Sequence, residues 1–148
     1  MGKLRKIVGT AVGAAALTAV TMVVAPAAAD ASPPPCGRTT AACIDLSTQQ
    51  AWLMHNGRKT YGPVRITTGR PGYRTPIGMY KVQWKDIDHW SHAYNAPMPY
   101  SVFFTSSGIA FHEGSLSVPS HGCVHLSHAA AVKFFNVLKV GNVVMVHA

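Results

Sequence analysis

The chain has no Gly-rich phosphate loop, no dinucleotide-binding fingerprint and no internal repeat, so the common nucleotide-dependent chemistries have no footing in it. It has no HExxH pair and no paired CxxC, the spacings that bring metal ligands together on one element. After residue 24 no apolar run approaches the length needed to cross a bilayer. Acidic residues are scarce, 5 against 13 Lys and Arg in 148 residues, for a formal charge of +8. That balance would suit nucleic acid, yet Arg58, Lys59, Arg65, Arg70, Arg74, Lys81, Lys85, Lys133 and Lys139 are scattered, with no run and no basic helix. We expect no nucleic-acid partner. Non-specific attraction to anionic wall polymers outside the cell is a sufficient account of the charge.

Lys3, Arg5 and Lys6 precede an apolar run from Ile7 to Val24, and both Ala27-Ala28-Ala29 and Ala29-Asp30-Ala31 are small-residue cleavage signals. This order predicts a secretory signal peptide over 1–31 rather than an uncleaved anchor, with membrane contact only before cleavage. The mature chain would be secreted or held in the cell envelope, at a charge of about +6 once Lys3, Arg5, Lys6 and Asp30 are lost. Ser32 to Pro35 opens a short stiff linker over 32–41, and one domain of ordinary size follows over 42–148. Cys36 and Cys43 flank the polar loop CGRTTAAC, a spacing that suits a disulfide in an exported chain and would contribute about 2 kcal/mol. Two free or otherwise paired thiols are the other reading, because spacing alone does not set connectivity.

Ala42-Ile44-Leu46 and Ala51-Leu53 alternate with polar neighbours, and Asn56-Gly57 signals a type I′ hairpin before Lys59 to Thr67. Gly69, Pro71, Gly72, Pro76 and Gly78 punctuate a long turn region. Tyr80-Val82-Trp84 and Val102-Phe104 alternate again, and Gly108 to His112 reads as a strand delivering His112 at its end. One helix is expected, capped by Ser127, running through Ala130, Ala131, Phe134, Val137 and Leu138 and closed by Gly141, before a last strand over Val143 to His147. The domain is therefore mainly β, with a single helix. Trp52, Trp84, Trp90, Tyr94, Tyr100, Phe103 and Phe104 are expected mostly in the core, with Tyr100 and Trp90 the candidates for a cleft rim.

Cys123, the only cysteine beyond the N-terminal region, stands in Ser120-His121-Gly122-Cys123-Val124-His125-Leu126-Ser127-His128, with His112 eleven positions before it. A thiol is a strong nucleophile as thiolate, and a nearby imidazolium is the usual device for holding it so. Gly122 leaves room for a substrate carbonyl beside the sulfur. This is acyl-transfer chemistry. The rival is a metal site drawn from His112, His121, Cys123, His125 and His128, or from Asp88, His89 and His92. Neighbours spaced by two on an extended loop diverge, so the tetrahedral convergence zinc requires is not expected. No metal and no cofactor is predicted.

Three stretches carry a resemblance to a known family: FHEGSLSVPSHGCVHL, TTGRPGYRTPIGMYKV from Thr67 to Val82, and MPYSVFFTSSGIAFH from Met98 to His112. In this order they resemble the L,D-transpeptidase catalytic domain, the YkuD-like family that cross-links bacterial peptidoglycan, from about Ala42 to the C-terminus. The resemblance implies a mixed-sheet β-sandwich with the helix after the catalytic cysteine loop. It implies Cys123 as nucleophile, His112 as general acid and base, and the Glu113 backbone carbonyl as the group that orients His112. Backbone N–H groups of Gly122 and Cys123 would meet the oxyanion, and Ser120, His121, His125 and Tyr100 would contact the substrate.

The implied partner is a peptidoglycan stem peptide, cut between its diaminoacid and terminal D-alanine and joined to a second stem as a 3→3 cross-link. Carboxypeptidase action on the same bond, or a non-catalytic wall- or metal-binding protein, are the alternatives. Penems and carbapenems are the implied inhibitors. Two departures stand out: His125 replaces the family's arginine, and Glu113 stands where Gly or Ser is common, before a short spacer. If His125 has inherited the arginine's role, binding of the substrate carboxylate should weaken as the imidazole loses its proton.

Overall fold

Alternation becomes two sheets. The computed structural model describes residues 36–148; the expected signal segment and linker residues 32–35 lie outside the described residues. Strands β1 (Thr40–Asp45), β2 (Gln50–His55), β3 (Arg58–Arg65) and β4 (Gly78–Lys81) join the C-terminal β9 (Val143–His147) in a five-stranded sheet ordered β3-β2-β1-β9-β4. Strands β5 (Trp84–Ser91), β6 (Ala96–Phe103), β7 (Ala110–Glu113) and β8 (Val124–Leu126) form a four-stranded sheet in that order. Both sheets are mixed, since β1 runs parallel to β9 and β7 parallel to β8. The fold is the mainly β, mixed-sheet architecture with one helix that the sequence predicts.

The expected hairpin is present. Asn56 and Gly57 take φ of 50° and 77°, the paired left-handed residues of a type I′ turn, between β2 and β3. The alternation through Tyr80-Val82-Trp84, expected as one strand, is divided between sheets. Val82 donates to the Asn142 carbonyl beside β9, while Gln83 donates to the Phe103 carbonyl in the other sheet. Periodicity cannot see such a crossing, because side chains keep alternating through it.

The helix α1 (His128–Val137) starts as predicted, with the Ser127 side chain accepting the Ala130 N–H. It ends sooner than predicted: Leu138 is extended, and Gly141 lies in the following turn, where its N–H donates to Val82. The termination is tertiary. The Lys85 ammonium, from β5, donates to the carbonyls of Phe135 and Leu138 and so satisfies the last turn.

One core unites the sheets and the helix. Ile44, Leu53, Val144 and Val146 meet Val102, Phe111, Val124 and Leu126, all at most 1% exposed. Phe134 of α1 closes the side, its ring 5.0 Å from Phe111 and 6.3 Å from Tyr61. The Cys36–Cys43 disulfide is formed, and it ties the entry segment to β1, which begins at Thr40 inside the expected linker. The aromatic set is less buried than expected. Trp52, Phe103 and Phe104 are core residues, whereas Trp84, Trp90 and Tyr94 are 42%, 47% and 52% exposed.

Candidate active site

The site follows from strand parity. In β7, Phe111 points into the core, so its neighbours Ala110 and His112 take the opposite face of the sheet. In β8, Val124 and Leu126 are core residues, which sends His125 to that same face. The parallel register sets His112 beside His125, with ring centroids 4.9 Å apart and planes nearly perpendicular. Cys123, just before β8, packs against Met98, Phe103 and Ala110. Residues of the β5–β6 hairpin, including Tyr94, Pro97 and Met98, complete a cavity of about 300 Å³ that both Cys123 and His112 line.

His112 is 6% exposed, and its Nδ1 lies 2.7 Å from the Glu113 carbonyl oxygen. A carbonyl only accepts, so Nδ1 carries the proton and Nε2 keeps its lone pair. Burial, then the adjacent His125, lowers its pKa to about 4; the Glu113 hydrogen bond opposes this, and His89 adds a small further lowering. Burial raises the Cys123 thiol above its ordinary value, partly offset by a backbone hydrogen bond from Ala110. Both shifts run toward neutral thiol and neutral imidazole and against a thiolate–imidazolium pair, because burial penalises each charged form.

Gly122 takes φ of +121°, a conformation that side chains rarely adopt. Its N–H donates to Ser120 Oγ (3.0 Å), Ser120 Oγ–H donates to the Cys123 carbonyl (2.6 Å), and Thr75 Oγ1–H donates to the Gly122 carbonyl (2.7 Å). Ser120 is buried and lines the cavity, but its hydroxyl is committed to stapling the cysteine loop, and that staple engages the Gly122 N–H expected to meet the oxyanion.

His125 also differs from expectation. It lines the cavity, but its Nδ1–H donates to the Ser115 carbonyl (3.0 Å), with Thr67 Oγ1 3.1 Å away. Burial lowers its pKa, against the hydrogen bonds to Ser115 and Val118. Burial disfavours the charged ring, and its Nδ1–H is already spent on Ser115, which works against its taking the arginine's place. Gly114 makes room for it: a Cβ at 114 would stand 2.6 Å from the imidazole.

His121 lines the same cavity, its ring stacked on Tyr94 at 4.3 Å and edge-on to Tyr73 at 4.9 Å. Tyr100 and Trp90 do not line the cavity; Tyr100 packs edge-on against His128 and Phe135. His128 in turn pairs with the Glu113 carboxylate at 2.8 Å. Among the described residues no three His, Cys, Asp or Glu side chains converge as metal ligands would. Sequence reasoning missed Tyr94, Met98, Gly114 and Thr75 as parts of the site. Thr75, Met98 and Gly114 each lie in one of the three family-like stretches, whereas Tyr94 carried no such signal.

A half-buried cysteine and a carbonyl-anchored histidine lining one cavity, on the outer face of a mixed sheet, make a cysteine acyl-transfer site. The family model for the L,D-transpeptidase catalytic domain matches residues 39–146, and the chain belongs to that family. It is 31% identical over 104 residues to the probable L,D-transpeptidase 3 of Mycobacterium tuberculosis, covering 57% of this chain and 38% of that protein. The solved L,D-transpeptidase of Stackebrandtia nassauensis superposes with a TM-score of 0.69 at 31% identity, over 72% of this chain and 54% of the other. An L,D-transpeptidase structure from Mycobacterium tuberculosis gives 0.66 at 25% identity, over 71% and 56%. The chain thus spans between about two-fifths and somewhat over half the length of these relatives.

Proposed function

We propose that this protein is a peptidoglycan L,D-transpeptidase with Cys123 as nucleophile and His112 as general acid and base. The observation that carries the reading is the His112 Nδ1–H held by the Glu113 carbonyl, which leaves Nε2 unprotonated in the cavity that contains the thiol. Sulfur attacks the carbonyl joining the diaminoacid to the terminal D-alanine while the thiol proton passes to His112 Nε2. Since burial disfavours both charged forms, proton transfer accompanies attack rather than preceding it. We assign the backbone N–H of Cys123 to the oxyanion, since Ser120 engages that of Gly122. One such donor is worth roughly 3 kcal/mol.

Collapse of the tetrahedral intermediate breaks the C–N bond, and His112 returns its proton to the departing D-alanine amine. The acyl-thioester is then opened by an amine of a second stem, whose proton passes through His112 back to the sulfur, giving a 3→3 cross-link. Water in place of the amine gives a carboxypeptidase product. The reaction belongs outside the cytoplasmic membrane, where its polymer is, and the leader pattern over 1–31 fits that placement.

The test is acylation by a carbapenem, followed by intact-protein mass, together with muropeptide analysis of product. Cys123→Ala should fold and gain no mass. His112→Ala should slow acylation by about 10²–10⁴-fold. Mass gain on the alanine variant, or a larger loss from His121→Ala, would overturn the assignment. Cross-linked dimers or shortened stems among the muropeptides decide between amine and water.

A further inference from the structure

A second cavity, about 240 Å³, lies beside the catalytic one and meets it at Pro119. Arg70 and Arg74 line it, with Gln49, Thr67 and Thr68 as further polar groups and no acidic side chain. Among the described residues Arg74 has neither a carboxylate nor a hydrogen-bond partner. Arg70 has no carboxylate either. It lies over the Tyr73 ring at 4.9 Å and donates to His121 Nε2 at 2.7 Å, so its guanidinium is fixed beside a residue that lines the catalytic cavity.

The loop bearing both arginines is held by the nucleophile loop itself. The Arg70 N–H donates to the Ser120 carbonyl (3.0 Å), and Tyr73 N–H returns to the Arg70 carbonyl (2.9 Å). Thr75 accepts the Gly69 N–H at 3.1 Å and donates to the Gly122 carbonyl. A Cβ at Gly69 would fall 1.9 Å from the Tyr73 carbonyl oxygen, so the turn admits no looser packing there. Two uncompensated cations are therefore carried on a pre-ordered turn, one Ser120 away from the cysteine loop. They stand next to a site whose own expected cation, His125, is an internally bonded imidazole.

We propose that Arg70 and Arg74 form the carboxylate-recognition site of this enzyme, holding a free carboxylate of the stem peptide on the N-terminal side of the scissile bond. For its substrate class the inference rests on the transpeptidase reading. The two-pronged guanidinium matches a carboxylate's two oxygens. In this proposal a stem whose scissile carbonyl lies at Cys123 runs its second-residue and diaminoacid carboxylates past Pro119, where the two cavities meet. Wall polyphosphates are also anionic, but nothing about them requires a cavity that adjoins the nucleophile.

Direct binding separates this from the catalytic assignment. In the full chain carrying Cys123→Ala, calorimetry would compare two tetrapeptide stems. One has its second-residue and diaminoacid carboxylates free; the other has both amidated, and the terminal D-alanine is free in each. The free-acid stem should bind about tenfold tighter, roughly the worth of one charge-assisted contact, with the preference shrinking as salt rises. Adding Arg70→Gln or Arg74→Gln should bring the free acid toward the amidated level and leave the amidated stem unchanged. Arg74→Lys should restore part of the preference.

Equal binding of the two stems, or a preference that survives both glutamine substitutions, would overturn the proposal. So would an arginine dependence seen only for inorganic phosphate or a glycerol phosphate polymer. Preserved discrimination with no turnover by the unsubstituted protein would instead count against the catalytic reading alone.

Discussion

Replacing His112 by Asn should change how stability depends on pH, by an amount the structure sets. The imidazole is 6% exposed, faces His125 at 4.9 Å, and donates to the Glu113 carbonyl; His89, itself 3.2 Å from an Asp86 oxygen, adds a weaker charge effect. Its pKa falls from 6.5 to about 4 on folding. Between these values the unfolded chain binds a proton that the folded chain does not, so stability rises with pH across this window and falls as pH drops through it. A displacement of this size corresponds to roughly 3 kcal/mol, absent above pH 6.5 and fully developed below about pH 4.

Asn cannot titrate, so the difference between the two proteins reports His112 together with its coupling to His125. The measurement is urea unfolding of wild type and His112→Asn from pH 4 to 7.5. Relative to its own value at pH 7, wild type should lose about 3 kcal/mol more than the variant by pH 4. Alkylation of Cys123 by iodoacetamide should in parallel show no inflection from His112 near pH 6.5, since Nε2 is already unprotonated there. Parallel stability curves for the two proteins, or an inflection near 6.5 that His112→Asn abolishes, would refute the neutral-pair argument.

Gly114→Ala places a Cβ 2.6 Å from the His125 ring, so it should destabilise by about 1–3 kcal/mol and lower kcat/KM by disturbing the ring packed on His112. Thermal unfolding with steady-state kinetics checks it, and an unchanged protein would mean that the spacer yields freely. Ser120→Ala removes an acceptor from Gly122 and a donor from Cys123, for roughly 1–3 kcal/mol and slower acylation. Ser120→Thr should recover most of both; if alanine acylates at the wild-type rate, the staple does not position the nucleophile. Because burial lowers the His125 pKa and its Nδ1–H is spent on Ser115, KM should be flat between pH 6.5 and 8, and His125→Gln should keep it flat. A KM that rises with pH in wild type and loses that rise in the glutamine variant would return the charge-bearing role to His125.

Local chemistry was legible wherever a residue's meaning did not depend on distant neighbours. The left-handed pair Asn56-Gly57, the Ser127 cap, the strand over Val143–His147 and the alternation that buries Ile44 and Leu53 are all local signals, and the structure keeps each. The mainly β class with one helix, and Cys123 and His112 as the pair to examine, followed from residue types and their order together with the family resemblance. What failed to be legible was set by packing. Whether Tyr80-Val82-Trp84 is one strand or two depends on which sheet accepts Val82 and Gln83, and the end of α1 depends on Lys85 arriving from β5. Tyr94 and Met98 belong to the site because the β5–β6 hairpin lies over one face of the sheet, a placement that no pattern within that hairpin encodes. Burial likewise set the direction in which His112 and His125 shift, since an imidazole's charge depends on how much water surrounds it. Sequence order alone names the groups that react; only the folded chain decides which are dry, which are already hydrogen-bonded, and which cations remain free to meet a substrate.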